Sequence, residues 1–361
     1  MPGGAEIWAE AQRQLSVCNS CRYCEGYCAV FPALERRSAL EIGDTVYLAN
    51  LCHDCRACYQ ACMYTPPHEF AIDIPKLMSE VRVRSYARGR YSALLRGPVS
   101  AGAASLLGAL VFLGLLIALG RAQRVTAADA GPGAFYAVVP YLAMFLPALA
   151  AGLVIAAILA GGAAGLWRQA GGSAREARSW RPWWGAVHDT FRLVYLRGGG
   201  PGCHYPDDQR PSQARRLLHQ LVFMGFLVDF VSTVAAAVEQ DLFGVLPPYP
   251  LLSVPGLLGV VGGLAMVAGG GGLIGLKVRA PRAQAARELL TLDYTFIALL
   301  VLASLSGLIL RLYSQTPAMP SLLLIHLGFL VGLYATAPYG KFAHVAYRFA
   351  ALALNRAESE R

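Results

Sequence analysis

Apolar runs long enough to cross a bilayer constrain this chain more than any other feature. A crossing helix needs about 20 predominantly apolar residues. In lipid every backbone N–H and C=O must be bonded within the protein, which leaves helices or closed barrels as spanning structures. Such runs fall at about 99–120, 135–160, 217–238, 251–276 and 294–312, with a last one from Ser321. The last is expected to pass Pro338 and reach about 352 as one helix, kinked where the proline removes a backbone donor. The fourth carries Gly269 to Gly272 in series, poor in a soluble helix but suited to close helix contact in lipid. Composition agrees, since 56% of the 361 residues are hydrophobic and only 15% charged.

Residues 1–97 are different: polar and rich in cysteine. Eight of the nine cysteines form two copies of CxxCxxCxxxC, Cys18, Cys21, Cys24, Cys28 and then Cys52, Cys55, Cys58, Cys62. Three cysteines at two-residue intervals wrap one cuboidal [4Fe-4S] cluster, and the fourth commonly ligates the other cluster of a two-cluster ferredoxin. Crossed ligation follows: Cys18, Cys21, Cys24 and Cys62 on cluster 1, and Cys52, Cys55, Cys58 and Cys28 on cluster 2. The proline that usually follows the fourth cysteine directly comes four residues later in both copies, as Pro32 and Pro66, which marks a duplicated unit. Disulfides need an oxidising compartment, and structural zinc favours two separated CxxC pairs. Both are weaker readings. Cys203, alone in a later loop, reads as a small residue without chemistry.

The expected fold is therefore mainly α: a small two-cluster ferredoxin-like helical domain over 1–97, then a six-helix transmembrane bundle over 98–361. Lys and Arg set the orientation. Nine arginines lie between the second and third spans (Arg168, Arg175, Arg178, Arg181, Arg192, Arg197, Arg210, Arg215, Arg216). Lys277, Arg279, Arg282 and Arg287 lie between the fourth and fifth, against Arg121, Arg124 and Arg311 on the other side. Both termini and the cluster domain should face the cytoplasm. The net charge of +9 is then a topology signal and not a nucleic-acid surface. The first 14 residues lack the apolar core of an export signal.

Three histidines fall in or beside the spans. His219 opens the third and His344 closes the last, both towards the cytoplasm, so the two can clamp one haem b between helices. His326 precedes His344 by 18 residues, which returns to the same face of a continuous helix about 27 Å away. It belongs either to an outer haem, for which Met319 is a speculative second ligand, or to a quinone pocket. Asp229 reads equally as a proton donor to a quinone or as a carboxyl bonded to a neighbouring helix. His53, inside the second cysteine motif, is expected at the surface, though it can tune a cluster; His68 has no evident partner. The segment His188 to Arg197 reads as an amphipathic helix at the membrane interface, and Gly198 to Gly202 as a loop that lacks a P-loop lysine.

The doubled motif, YLRGGGPGCHYPDD from Tyr195, RRLLHQLVFMGFLVDF from Arg215 and IHLGFLVGLYATAPYGKFAHVAYRFAAL from Ile325 resemble the tricarballylate (citrate) utilisation protein B family over nearly the whole chain. The resemblance implies a bacterial inner-membrane iron-sulfur and haem protein that reoxidises the FADH2 of a tricarballylate dehydrogenase docked on its cytoplasmic side. Two departures stand out. The family's third span opens on two adjacent histidines and carries another near its outer end, whereas here Leu218 precedes His219 and Glu239 and Gln240 hold the outer end. A second haem is therefore not implied.

No Ser/His/Asp set, nucleotide fingerprint or catalytic carboxylate pair is present in the polar segments, so substrate oxidation is assigned to the partner flavoprotein. The leading expectation is an electron-transfer subunit running from flavin through two [4Fe-4S] clusters and haem b to membrane quinone. The alternative is a membrane redox sensor whose cluster state moves the helices without net flux.

Overall fold

The computed structural model describes residues 4–87, 114, 131–206, 210–280, 286–338 and 340–361. The expected first span at 99–120, Gly114 apart, and the boundary between residues 97 and 98 lie outside them. Among the described residues the chain is helical, with one isolated antiparallel bridge between Cys203 and Ser212.

The N-terminal unit comprises α1 (Gly4–Cys21), α2 (Val30–Glu35), α3 (Ile42–Leu51), α4 (Ala57–Ala61) and α5 (Ile74–Ala87). Ile7, Ala11 and Leu15, spaced by four, put one buried stripe of α1 against α3 and α5. There it meets Tyr47, Leu48, Leu51, Met78 and Val81. Asp44 reaches back to the backbone N–H of Glu41 at 3.1 Å and so caps the start of α3.

The short α6 (Ala134–Val138) precedes α7 (Tyr141–Gln169), α8 (Ala174–Arg178) and α9 (Trp180–Arg192); then come α10 (Ala214–Phe243), α11 (Val254–Arg279), α12 (Arg287–Leu312) and α13 (Met319–Thr336). Among the described residues five helices are long and apolar enough to cross a membrane: α7, α10, α11, α13 and the Leu290–Leu312 part of α12. The protein is multi-pass. The expected span at 135–160 is corrected at its start, because Pro140 breaks the run and α7 begins after it.

Helices α10 and α11 approach until backbones touch. A Cβ on Gly262 would lie 2.8 Å from the carbonyl oxygen of Gly225, and one on Gly269 would lie 2.7 Å from that of Leu218. Neither neighbour is a side chain that can swing away. We expect Gly262→Val to cost at least about 3 kcal/mol, read as a large drop in thermal midpoint in detergent.

The last expected span, 321–352, is not one kinked helix. Helix α13 stops at Thr336, a 3-10 turn covers Lys341–Ala343, and a separate α14 runs over His344–Ser359. Pro338 supplies no amide hydrogen and its ring opposes the carbonyl four residues back. The continuous helix on which His326 and His344 were expected to share a face is therefore broken.

Helix α14 instead packs against α3, α7 and α9, with Tyr347, Ala350 to Asn355, Ala357 and Glu358 buried. Its end is pinned to the N-terminal unit. The Glu358 carboxylate accepts from Arg37 at 2.7 Å and from the Tyr47 hydroxyl at 3.2 Å, and Arg36 donates to Asn355 at 2.6 Å. On α9, Asp189 accepts a two-pronged bond from Arg356. Glu358→Ala leaves Arg37 buried with only Asp44 beside it and should cost about 3 kcal/mol, measured as earlier denaturant unfolding of the full chain.

Candidate functional site

The end of α1 and the turn after it carry Cys18 to Cys28, the turn after α3 and the short α4 carry Cys52 to Cys62, and folding exchanges the last member of each set. One cavity is lined by Cys18, Cys21, Cys24 and Cys62, together with Val17, Tyr23, Phe31, Met63, Tyr64 and Ile72. The other is lined by Cys28, Cys52, Cys55 and Cys58, with His53, Asp54, Arg56 and Ile74 among its walls. We call these the first and second cage. All nine cysteines are free thiols. Among the described residues no group of three or more His, Cys, Asp or Glu is gathered closely enough to hold one metal ion, whereas four thiols ring each cage.

The thiols are held in a setting that resists bare thiolate. Burial, followed by the neighbouring thiols, pushes Cys18 up to about 12 and Cys24 up to about 11. Burial and then Cys203 push Cys55 up to about 12, and burial drives Cys28 and Cys58 well upward. Four mutually repelling thiolates become stable once metal cations take the protons' place. Backbone amides already point at sulfur: Asp54 N–H donates to Cys52 Sγ and Tyr64 N–H to Cys62 Sγ, each at 3.4 Å. Such bonds raise the potential of an iron-sulfur centre. The donor set of each cage fits a [4Fe-4S] cluster.

The cages differ in their surroundings. The first lies at the surface, with Cys21, Tyr23 and Met63 exposed. The second is buried at the seam with the membrane segment. Arg82 donates to the carbonyls of Ala49 and Cys52, Arg348 to those of Asn50 and Cys52, and Arg215 to that of Asp54. Arg56, 2% exposed, lies in the wall of the cage itself and, like Arg215, stacks over the buried ring of Tyr205. Burial and then Arg82 push Arg348 down to about 10. Asp54 lies 3.9 Å from Arg56. The guanidinium groups of Arg82, Arg348 and Arg215, gathered on the carbonyls around this cage, suit an anionic occupant, which a cluster held by four thiolates would be.

The loop between α9 and α10 is laid over the second cage. His204 N–H donates to the carbonyl of Cys55 at 2.9 Å, and Cys203 is fully buried beside Cys55 with its thiol directed at the Leu196 carbonyl. Gly202 sits at φ 125°, and a Cβ there would lie 2.5 Å from the backbone of Ser212. Cys203 is thus a packing residue of this cage, closer to the chemistry than a loop position implied. His53 is buried, not at the surface, with its ring nitrogen 2.7 Å from the Leu51 carbonyl; burial, followed by Arg348, drives it well below the usual imidazole range. His68 accepts from the Phe70 N–H at 3.1 Å and meets the Tyr64 ring edge-on.

Beyond the second cage stand His219 on α10 and His344 at the start of α14. Their ring centres are 6.3 Å apart with planes at 89°. Two metal-imidazole bonds of about 2 Å, with each ring centre roughly 1 Å behind its nitrogen, give about 6 Å. The His344 Nδ1 lies 2.6 Å from the Lys341 carbonyl. A carbonyl only accepts, so Nδ1 carries the proton and Nε2 keeps its lone pair for a metal. Burial and then Lys341 hold His344 well below its usual range, hence neutral. The Nδ1 of His219 is buried without a hydrogen-bond partner, unusual for an interior polar atom. Two imidazoles brought together in this way, one with its tautomer fixed, are the residues that would hold a haem iron. Each histidine is one helical turn from an arginine that grips the second cage, Arg215 before His219 and Arg348 after His344.

A model of the citrate utilization protein B family matches residues 94–361, and a model of that family's Fer4-like domain matches residues 11–88. The chain is also 39% identical to citrate utilization protein B of Escherichia coli over 356 residues, 95% of this chain and 90% of the relative. The chain belongs to the citrate utilization protein B family. No solved structure matches it. In this family member the Fer4-like, iron-sulfur domain spans both cysteine motifs, and the longer match contains both histidines.

His326 does not join the pair. Its Nδ1 lies 3.1 Å from both the Ser306 hydroxyl and the Ala303 carbonyl of α12, in space left by Gly307. Met319 is buried in an apolar cluster with Val138, Leu310 and Leu323, so its setting is that of a core residue. Gln240 is bonded by the Tyr136 hydroxyl. Leu218 lies against Gly269 and Gly272 of α11, which makes it a helix-packing residue. Asp229 faces the same glycine-lined stripe of α11, near Gly259 and Gly262. Sequence reasoning missed the four arginines and the buried ion triad in which Asp293 lies 2.5 Å from Lys277 and 2.7 Å from Lys341. The signal available for two of the arginines was their four-residue spacing from the histidines.

Proposed function

We propose that this chain is a membrane electron carrier that reoxidises an FAD-dependent dehydrogenase of the tricarballylate or citrate type and delivers its electrons to quinone. When bound, two [4Fe-4S] clusters and one haem b would supply one-electron steps between a two-electron flavin and a two-electron quinone. The reading rests above all on one arrangement: the exposed thiol cage, the buried thiol cage and the histidine pair succeed one another, the last two joined through Arg215 and Arg348. Cys18, Cys21, Cys24 and Cys62 would hold the cluster nearest the donor. Cys28, Cys52, Cys55 and Cys58 would hold the next, and His219 and His344 the haem. Apolar walls and the strap of Cys203 to Tyr205 keep water from the inner stations.

The arginine distribution supports placing the cluster domain and both termini in the cytoplasm, in a bacterial inner membrane. The packing of α14 on α3 keeps the C-terminal helix with the N-terminal domain. His326, bonded through Nδ1 and neighboured by Gly307, is the candidate for contact with quinone. The test is purified protein in lipid, mixed with an FAD-dependent dehydrogenase of the tricarballylate or citrate type, its substrate and a quinone. Substrate-dependent quinone reduction is expected; clusters that become reduced while quinone stays oxidised would favour a sensor.

A further inference from the structure

We propose that Arg56, Arg82, Arg215 and Arg348 make the second cage the more oxidising of the two, so that it draws electrons inward from the first and holds them beside the histidine pair. The inference rests on the reading of both cages as [4Fe-4S] sites. Each cluster is already anionic through its four thiolates, and reduction adds one more negative charge, so nearby buried cations favour the reduced form. The two cages contrast sharply in this respect. Among the described residues no charged side chain lines the first, and Cys21 opens it to solvent. The second has Arg56 in its wall, Arg82 and Arg348 both on the Cys52 carbonyl, and Arg215 on that of Asp54.

Two of these arginines come from the iron-sulfur unit and two from the membrane segment, so docking the two parts completes the cationic shell. The step is a single electron transfer. The first cluster would be oxidised by one electron and the second reduced by one, with no bond or proton changing hands. A reduced flavin would refill the first, and a haem held by the histidine pair would accept the electron from the second.

The experiment is an EPR-monitored potentiometric titration of the full-length protein in lipid nanodiscs. Two cluster signals should titrate apart, and Cys21→Ser should alter the one of lower potential. Arg82→Gln and Arg348→Gln should each move only the higher one to more negative potential, with Arg348→Lys, which keeps the charge, moving it less. If Cys21→Ser alters the higher-potential signal, the proposal is overturned, whatever the arginine variants do. Glutamine variants that retain both clusters with unmoved potentials overturn it too. Absence of any cluster signal from the unaltered protein would remove the underlying reading itself, a result distinct from two clusters in the wrong order.

Discussion

Cys62→Ser is expected to reduce iron and acid-labile sulfide from about eight of each per protein to about four, with the loss falling on the cluster of Cys18, Cys21 and Cys24. By sequence Cys62 belongs to the second motif. In space it lines the first cage, and Cys28 makes the reverse exchange into the second. Each motif therefore contributes to both cages, and Cys28→Ser should remove the other signal. Iron and sulfide analysis with EPR decides the matter. Loss of the second cluster's signal in the Cys62 variant would mean that ligation is not crossed.

His344→Ala is expected to abolish the b-type optical spectrum while leaving iron-sulfur content unchanged, and His219→Ala to do the same. On the proposed ligation, either substitution would take away one of the two imidazoles that would hold the haem iron. The two rings stand at a separation suited to one iron, and the Lys341 carbonyl fixes the His344 tautomer. His326→Ala should keep the spectrum, because its ring is bonded to Ala303 and Ser306 and apart from the pair. A retained spectrum in both the His219 and His344 variants would show that the haem ligands are elsewhere.

Much of this was legible in the sequence because it is governed by local periodicity. The doubled spacing already implied that the fourth cysteine of each motif reaches the other cage, and the apolar runs implied helices. His219 and His344 were matched by depth alone, one opening a helix and one closing another, and the structure brings their rings together. What escaped were features set by tertiary context. Pro338 was expected to bend a helix, yet the chain breaks there, because Lys341 is drawn to Asp293 and α14 has a buried site of its own between α3, α7 and α9. The break is also what brings Arg348 to the Cys52 carbonyl. Arg215 counted in the sequence only as a positive charge outside the membrane. Its role depends on the carbonyl of Asp54, 161 residues earlier in the chain, a pairing no spacing rule contains. His53 was placed at the surface because it is polar and between cysteines, but the membrane segment covers it.

The central claim is that electrons reach the histidine pair through the thiol cages. Stopped-flow mixing of the oxidised protein with its reduced flavoprotein partner tests it most directly, with cluster bleaching and the b-type absorption followed together. The account predicts that bleaching comes first, that haem reduction follows it, and that Cys21→Ser or Cys55→Ser slows haem reduction at least about tenfold, equivalent to about 1.4 kcal/mol in the barrier. Haem reduction at the unaltered rate in a variant lacking either cluster would contradict it.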